Sequence, residues 1–503
     1  HHNEYFVRFP STDGKRIAYT AGGDIYVYDP ALKKSRKIEV LAPQSTYQMR
    51  RKFVQVKDHI EHFSPHPDGH SLSLISRGQP LTMGNWEGPG LQHGVGSRVR
   101  YRLSEWMPEG DKFVVVNDRD GFEKLELHTC DQSEEPVFLT DEDLGKFVSI
   151  QISPDGENIG ISNHKQELWN YNFKTKTLKL LDRSSAERIT DFRWSPDGRW
   201  IAYSFAVQPQ FFIIRIVSIG SGKIHDATDP IRCDVAPAWD PEGKYLYFLG
   251  ARDFYPVMDA MSFDYGFPRG FRPYLITLRK DILSPLIKEP KPVVKKKGDS
   301  KIKAASELLN LDEKTATGSK KVNSKELKKA YKKALQEAYQ ELTRELKPAL
   351  SGKKKEEESS TFSLVEIDFD GIKERILSIP VSEGRYGDIV GVKGRVLFTS
   401  YPVSGIRPDH NWFDSDSRKA EIIAYDFEEE RSAVIAREVN EMRLAYDNQT
   451  LYYRSGKSII VQDALESLPK DGKATIKSAS GAPGRDTGIL DLSRGQILVT
   501  PQD

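Results

Sequence analysis

Four histidines, His59, His62, His66 and His70, lie within twelve residues and are the first candidates for metal chemistry. Imidazole nitrogens bind Zn²⁺ when three or more ligands converge on one point. His66 and His70 flank a Pro-Asp-Gly turn, whereas His59 and His62 are three residues apart on a predicted strand and should face opposite sides. We predict that the four do not converge, that the chain holds no metal and that it needs no cofactor.

A serine nucleophile is the second kind of chemistry to consider. Serine hydrolases of the α/β type carry Gly-x-Ser-x-Gly on a strand-turn-helix elbow, and the sequence contains no such pentapeptide. The nearest string, Gly220-Ser-Gly-Lys223, is a short turn between two predicted strands and lacks the spacing of a phosphate-binding loop. The sequence therefore predicts no catalytic residue within this chain.

Charge and cysteine content exclude several further classes. Lys+Arg 74 against Asp+Glu 73 leaves a net charge of +1, so no overall excess favours nucleic acid or an anionic membrane. No apolar run approaches the ~18 residues of a membrane-spanning helix. Two cysteines, Cys130 and Cys233, exclude a disulfide framework and are compatible with a reducing compartment. We expect a cytoplasmic protein without nucleic-acid or membrane partners.

The elements that would position any site come from an internal repeat. Each copy has an apolar strand, a tight turn of the Ser-Pro-Asp-Gly type and a strand of alternating aliphatic and aromatic residues. Proline presets φ for the turn, aspartate caps it and glycine supplies a positive φ. A period of about 40–45 residues with four strands is typical of a β-propeller blade. After a first copy at Gly14, the turns lie at Gly69, Gly110, Gly156, Gly198, Gly243, Gly394 and Asn448.

These repeats predict an all-β, seven-bladed propeller with a partial extra blade at the N-terminus. The innermost strand of each blade, just before the turn, should line the central channel. Three tryptophans at equivalent positions, Trp106, Trp194 and Trp239, are interpreted as packing between blades. The polar candidates for lining the channel are His59, Glu61, Arg102, Glu105, Ser149, Asp191 and Arg193.

The repeat is interrupted once, at 286–360. This Lys-rich interval contains 20 Lys+Arg and 12 Asp+Glu, a local excess of +8. Ser324 is a predicted N-cap of a helix that extends to about Lys347, with apolar residues at three- and four-residue spacing. Two interpretations remain open: a solvated insertion between blades, and an arm that docks a partner or a polyanion.

Several ordered strings resemble the propeller half of tricorn-type proteases, and together they cover nearly the whole chain outside the insertion. Single Ser-Pro-Asp-Gly turns are shared with TolB-like propellers, but the ordered set is more specific. The strings include Ser76-Arg-Gly-Gln79, Ile189-Thr-Asp-Phe-Arg-Trp-Ser195, Leu246-Tyr-Phe-Leu-Gly-Ala-Arg-Asp253, Ile367-Asp-Phe-Asp-Gly-Ile-Lys-Glu-Arg375 and Ile379-Pro-Val-Ser-Glu-Gly-Arg-Tyr386.

The resemblance implies a domain layout. Residues 1–42 would be the last blade of a preceding propeller, 43–475 the seven-bladed second propeller, and 476–503 a linker toward a helical, a PDZ and a serine-peptidase domain absent from this chain. The chain would then be a non-catalytic part of a serine protease, admitting or filtering unfolded peptides through its axial channel. Its partners would be those peptides and the other domains and subunits of a homo-oligomer. The alternative is a free-standing, TolB-like propeller that acts as a protein-interaction scaffold.

Overall fold

The predicted turns form, and each one connects the first and second strands of a sheet. In the computed structural model the glycines at these turns have positive φ, for example 67° at Gly69 and 69° at Gly198, and Asn448 adopts 54° in the last copy. The structure describes residues 5–40, 50–94, 98–259, 261–287, 364–403, 419–469 and 481–499. No helix in these ranges is long and apolar enough to cross a membrane.

The chain divides into two compact units, His1–Phe53 with Leu498–Asp503, and Val54–Ile497. The smaller unit contains one antiparallel sheet in the order β1-β2-β3-β4. The predicted boundary at 42 falls in 41–49, outside the described residues. The strands are β1 (Arg8–Thr12), β2 (Ile17–Ala21), β3 (Asp24–Asp29) and β4 (Lys34–Ile38).

Two further strands, β5 (Lys52–Gln55) and β35 (Gln496–Val499), pair with each other.

The larger unit contains seven consecutive antiparallel blades, which confirms the predicted seven-bladed propeller. Blades one to three are β6 (Ile60–Pro65), β7 (Ser71–Ser76), β8 (Gln79–Gly84) and β9 (Leu91–Gln92); β10 (Tyr101–Trp106), β11 (Lys112–Asn117), β12 (Lys124–Thr129) and β13 (Val137–Phe138); and β14 (Phe147–Ile152), β15 (Asn158–Asn163), β16 (Glu167–Asn172) and β17 (Thr177–Arg183).

Blades four to seven follow the same order, and a two-stranded hairpin projects from blade five. A single parallel bridge between Phe212 and Cys233 connects blades four and five. The strands are β18 (Phe192–Trp194), β19 (Trp200–Gln208), β20 (Phe211–Ser218) and β21 (Ile224–Asp226); β22 (Cys233–Trp239), β23 (Tyr245–Ala251), the hairpin β24 (Val257–Met258) and β25 (Tyr265–Gly266), β26 (Arg272–Thr277) and β27 (Ile376–Ser378); β28 (Arg385–Val392), β29 (Arg395–Tyr401), β30 (Ala420–Asp426) and β31 (Arg431–Val439); and β32 (Glu441–Leu444), β33 (Thr450–Ser455) and β34 (Ser458–Asp463).

Apolar side chains fill the spaces between consecutive blades, because a single four-stranded sheet cannot bury both of its faces. Val116 of blade two packs with Phe147 of blade three, and Leu168 of blade three packs with Tyr203 of blade four. The three tryptophans confirm the predicted packing between blades: each indole Nε1 donates to a carbonyl on the first strand of the preceding blade. These bonds join Trp106 to Ser64 at 3.1 Å, Trp194 to Gln151 at 2.9 Å and Trp239 to Arg193 at 3.0 Å.

Blade seven closes the ring against blade one. The Tyr452 hydroxyl donates to the Gly69 carbonyl at 2.7 Å and accepts from Asn85 at 2.8 Å. Residues 488–490 run along β34, where the Val461 amide donates to the Gly488 carbonyl at 2.8 Å. Part of the interval predicted as a linker, 476–503, therefore packs within the propeller unit. The predicted Lys-rich helix lies in 288–363, outside the described residues.

Candidate functional site

The first strands of the blades surround the propeller axis. In every blade except the fifth the first strand is an edge strand, and in blade five β22 also forms the parallel bridge to β20. The first strands of neighbouring blades contact each other along most of the ring, including β32 with β6 at the closure. The polar side chains on these strands are therefore the candidate functional residues of this fold.

A β-bulge interrupts several of these first strands near their midpoint. The register shifts between Ile60 and His62 in β6, and between Arg102 and Ser104 in β10, where Leu103 has a φ of 47°. A bulge adds one residue and breaks the strict alternation of sides along a strand. As a result, Glu61 is exposed and pairs with Arg100 at 3.1 Å, whereas His62 is buried.

Arg443 in blade seven is the centre of a polar network that crosses the ring. Its guanidinium donates to Glu441 at 2.7 Å, to Glu105 of blade two at 3.1 Å and to His62 Nε2 of blade one at 2.9 Å. Glu105 also accepts from the Ser64 hydroxyl at 3.2 Å. One arginine thus connects three blades through charge-assisted hydrogen bonds.

A second group of charges faces the same region from blades four and six. Arg193 and Asp191 belong to blade four, and Asp388 to β28 of blade six. The charge of Arg193 acts on both carboxyls, and the charges of Glu441 and Arg443 act on Asp388. We call these seven residues the axial cluster: His62, Glu105, Asp191, Arg193, Asp388, Glu441 and Arg443.

Burial determines the protonation preferences of the cluster. It raises the pKa of Asp388 to about 6, and Arg193 only partly opposes that rise. Burial likewise raises the pKa of Glu105 and of Asp191, while Arg443 and Arg193 act in the opposite direction. Water still reaches the group, because the side chains of Glu441 and Arg443 are 33% and 28% exposed. The cluster is therefore packed but partly solvated.

Ser104 contacts His62 of the axial cluster, but the burial of this serine argues against nucleophilic catalysis. The Ser104 hydroxyl lies 3.3 Å from His62 Nδ1 and has no solvent exposure. Both ring nitrogens of His62 face donors, because Arg443 donates to Nε2 at 2.9 Å and the Ser104 amide donates to Nδ1 at 3.2 Å. Burial and the nearby arginines hold the pKa of His62 well below its usual range. The Ser104 hydroxyl also accepts from the Ser73 hydroxyl at 2.9 Å, and because it is fully buried no substrate can reach it for nucleophilic attack.

The structure places the predicted channel residues in different surroundings. Glu105, Asp191 and Arg193 belong to the axial cluster. Arg102 instead pairs with Glu123 of its own blade and approaches the Phe147 carbonyl at 3.4 Å. The remaining three lie apart from the cluster: His59 is exposed after a 3-10 turn, Glu61 pairs with Arg100, and Ser149 is half-buried beside a bulge.

Four members of the cluster, namely His62, Asp388, Glu441 and Arg443, were missed by the sequence analysis. Two of them carry a readable signal. Asp191-Phe-Arg193 and Glu441-Met-Arg443 share the pattern acid-x-Arg at the same distance before their turns, five residues from Arg193 to Gly198 and from Arg443 to Asn448. His62 is concealed by the bulge, which inverts the expected alternation.

His66 and His70, which flank the turn at Gly69, come together in the structure. The rings of His66 and His70 stack with centroids 4.0 Å apart, and Asp68 lies close enough for the three to approach one ion. Both nitrogens of His66 are already engaged: Nδ1 accepts from the Asp68 amide at 3.1 Å and Nε2 contacts the Gly110 carbonyl at 3.0 Å. A metal would have to replace these bonds, so the residues present do not form a prepared site.

Comparison with known proteins gives consistent matches. A family described as the tricorn protease second beta propeller domain matches residues 60–465. The chain is 28% identical to the tricorn protease homolog of Saccharolobus solfataricus over 99% of this chain and 38% of that protein. It is 29% identical to the tricorn protease of Thermoplasma volcanium over 62% of this chain and 30% of that protein.

A crystal structure of the tricorn protease has the same fold, with a TM-score of 0.65 and 20% identity over 100% of this chain and 40% of that chain. The chain spans less than half the length of each of these proteins.

Proposed function

Because the chain belongs to the tricorn protease family, whose second β-propeller it contains, we propose that it is the non-catalytic propeller region of a tricorn-like serine protease. In this proposal it admits or filters unfolded peptides through its axial channel. Peptide-bond cleavage would be carried out by other domains of the protease, in a homo-oligomer located in the cytoplasm. The two cysteines, which are unpaired, are compatible with that compartment.

The axial cluster is the observation that carries this proposal. Its residues come from five blades, lie on the strands that surround the axis and remain partly solvated. A polypeptide in transit needs hydrogen-bonding partners for its backbone and cannot leave buried polar groups unpaired. Carboxylates, guanidinium groups and water along the axis would supply such partners without demanding a particular sequence.

A blocked channel tests the proposal. In a chain with Cys130→Ser and Cys233→Ala, Asp388→Cys is labelled with a bulky maleimide, and binding of a fluorescein-labelled, reduced and alkylated polypeptide is followed by anisotropy. The matched control is the same label at Ser432→Cys, an exposed position on the outer strand of the same blade. We expect at least about a tenfold loss of affinity for the label at 388 and no loss at 432. Equal binding by both labelled proteins would refute passage or capture at the axis.

A further inference from the structure

The hairpin that projects from blade five displays an unusual amount of apolar surface. Residues 253–267, which we call the rim hairpin, include Phe254, Met261 and Phe263, with 79%, 91% and 77% of their surface exposed. Four more large apolar side chains of the segment are more than half exposed: Tyr255, Val257, Met258 and Tyr265. A contiguous apolar surface of this kind marks a binding site more often than an accident of folding.

Hydrogen bonds hold the described residues of the rim hairpin in a defined turn. The Asp259 amide donates to the Asp264 carbonyl at 2.8 Å, and the Phe263 amide donates to the Asp259 carbonyl at 2.9 Å. The Asp259 carboxylate accepts from the Met261 amide at 3.0 Å, which fixes the turn. At the base, Phe254 packs on Phe267 with ring centroids 5.4 Å apart. Apolar side chains on a preorganised backbone bind with a smaller entropic cost than those on a loose loop.

The position of the rim hairpin relates it to the channel. It connects β23 to β26 at the end of blade five where the first strand β22 begins, since Ala251 pairs with Cys233. Four residues after the hairpin, Phe271 pairs with Gly384, the residue before β28 of the next blade. Asp388 lies four residues further along that strand, roughly 13 Å at strand spacing. The hairpin therefore borders the channel mouth that leads to the acidic members of the axial cluster.

The rim hairpin itself carries only negative charge, and arginines outside it border its base, where Arg232 lies 4.9 Å from the centroid of the Phe267 ring. Residues 253–267 include three aspartates and neither lysine nor arginine. Asp253 pairs with Arg272 at 3.4 Å, whereas Asp259 and Asp264 remain exposed at the hairpin tip. Below the hairpin, Asp191 and Glu441 lie two residues nearer to this mouth than Arg193 and Arg443 do. An incoming polypeptide thus meets aromatic and methionine side chains together with carboxylates.

From this combination we infer that the rim hairpin captures extended polypeptide segments in which large apolar residues alternate with lysine or arginine, and delivers them to the channel mouth. The inference rests on the proposed function and specifies its substrate class. Apolar side chains of the segment would cover Phe254, Met258 and Phe263, and its cations would complement the aspartates. Such segments are normally buried in folded proteins and become accessible on unfolding.

Three unstructured, fluorescein-labelled peptides of about 20 residues test the inference on the full chain. The first alternates Phe or Leu with Lys; the second has Glu in place of Lys; the third has Ser in place of Phe and Leu. Binding is measured by anisotropy for the native chain and for Phe254→Ser/Phe263→Ser. The control is Val137→Ser/Leu180→Ser, which removes exposed apolar side chains from outer strands of blades two and three.

We expect the first peptide to bind at least about tenfold more tightly than the other two, and the hairpin variant alone to lose that advantage. Equal binding of all three peptides would overturn the inference and leave the proposed function standing. The same conclusion would follow if the hairpin variant bound the first peptide unchanged while the label at position 388 still blocked peptide binding. No binding of any peptide or unfolded polypeptide would reject both. Sedimentation tests a different role. If Phe254→Ser/Phe263→Ser converted an oligomer into a monomer and left peptide binding unchanged, the hairpin would be an interface between copies of the chain and the inference would be overturned.

Discussion

Replacing Arg443 with alanine is the sharpest test of the axial cluster, because this one side chain connects blades one, two and seven. The variant leaves Glu105, whose side chain is 12% exposed, without its arginine, and removes the donor to His62 Nε2. Removing one partner of a buried ion pair costs about 3–5 kcal/mol. Since the Arg443 side chain is 28% exposed, we expect a loss near the lower limit, about 3 kcal/mol in the free energy of unfolding.

Equilibrium unfolding in urea, followed by tryptophan fluorescence, measures this loss, since Trp106, Trp194 and Trp239 are buried between blades. The matched control is Arg437→Ala, which breaks an exposed pair with Glu421 at 3.0 Å and should cost less than about 1 kcal/mol.

A double-mutant cycle with Glu105→Gln isolates the pair. Arg443→Ala should cost about 1 kcal/mol less when Glu105 has already been neutralised, because less charge is left uncompensated. If Arg443→Ala cost no more than the Arg437→Ala control, or if the cycle showed no coupling, the assignment of a strong network across the ring would be wrong.

Three further predictions follow from the same contacts. Folding raises the pKa of Asp388 from 3.8 to about 6, so the folded chain binds this proton more tightly and Asp388 lowers the stability as pH rises from 4 to 6. Asp388→Asn should reduce that fall and stabilise the chain at pH 8 by up to about 3 kcal/mol, whereas an unchanged pH profile of urea unfolding would contradict it. Trp239→Phe loses the indole bond to the Arg193 carbonyl and should cost about 1–2 kcal/mol in the same assay, with Trp239→Ala costing more; no loss for Trp239→Phe would show that the bond contributes nothing. Arg494→Ala removes bonds of 2.7–2.8 Å to carbonyls within 84–88 and should increase amide hydrogen exchange there; unchanged exchange would argue against this tie between the C-terminal segment and blade one.

Among the site residues, the sequence analysis identified Glu105, Asp191 and Arg193 because regular blades repeat the same position before each turn. It did not identify His62, since strict alternation assigns His59 and Glu61 to one side and the bulge in β6 reverses that assignment. Asp388 was missed for a related reason: the register of β28 shifts between Tyr386 and Ile389, on either side of it. A bulge depends on how neighbouring strands pack, which a single strand's pattern does not encode.

The blade count and the positions of the turns were determined by the sequence itself. A turn with positive φ favours glycine or asparagine, and an indole that bonds to the preceding blade needs tryptophan at one repeat position, so both preferences appear as local residue types. Which charges meet at the axis was decided only by the tertiary structure. Arg443 and His62 are 381 residues apart, and ring closure brings them within 2.9 Å of each other. No local preference fixes that contact, because it depends on seven blades completing one turn around the axis.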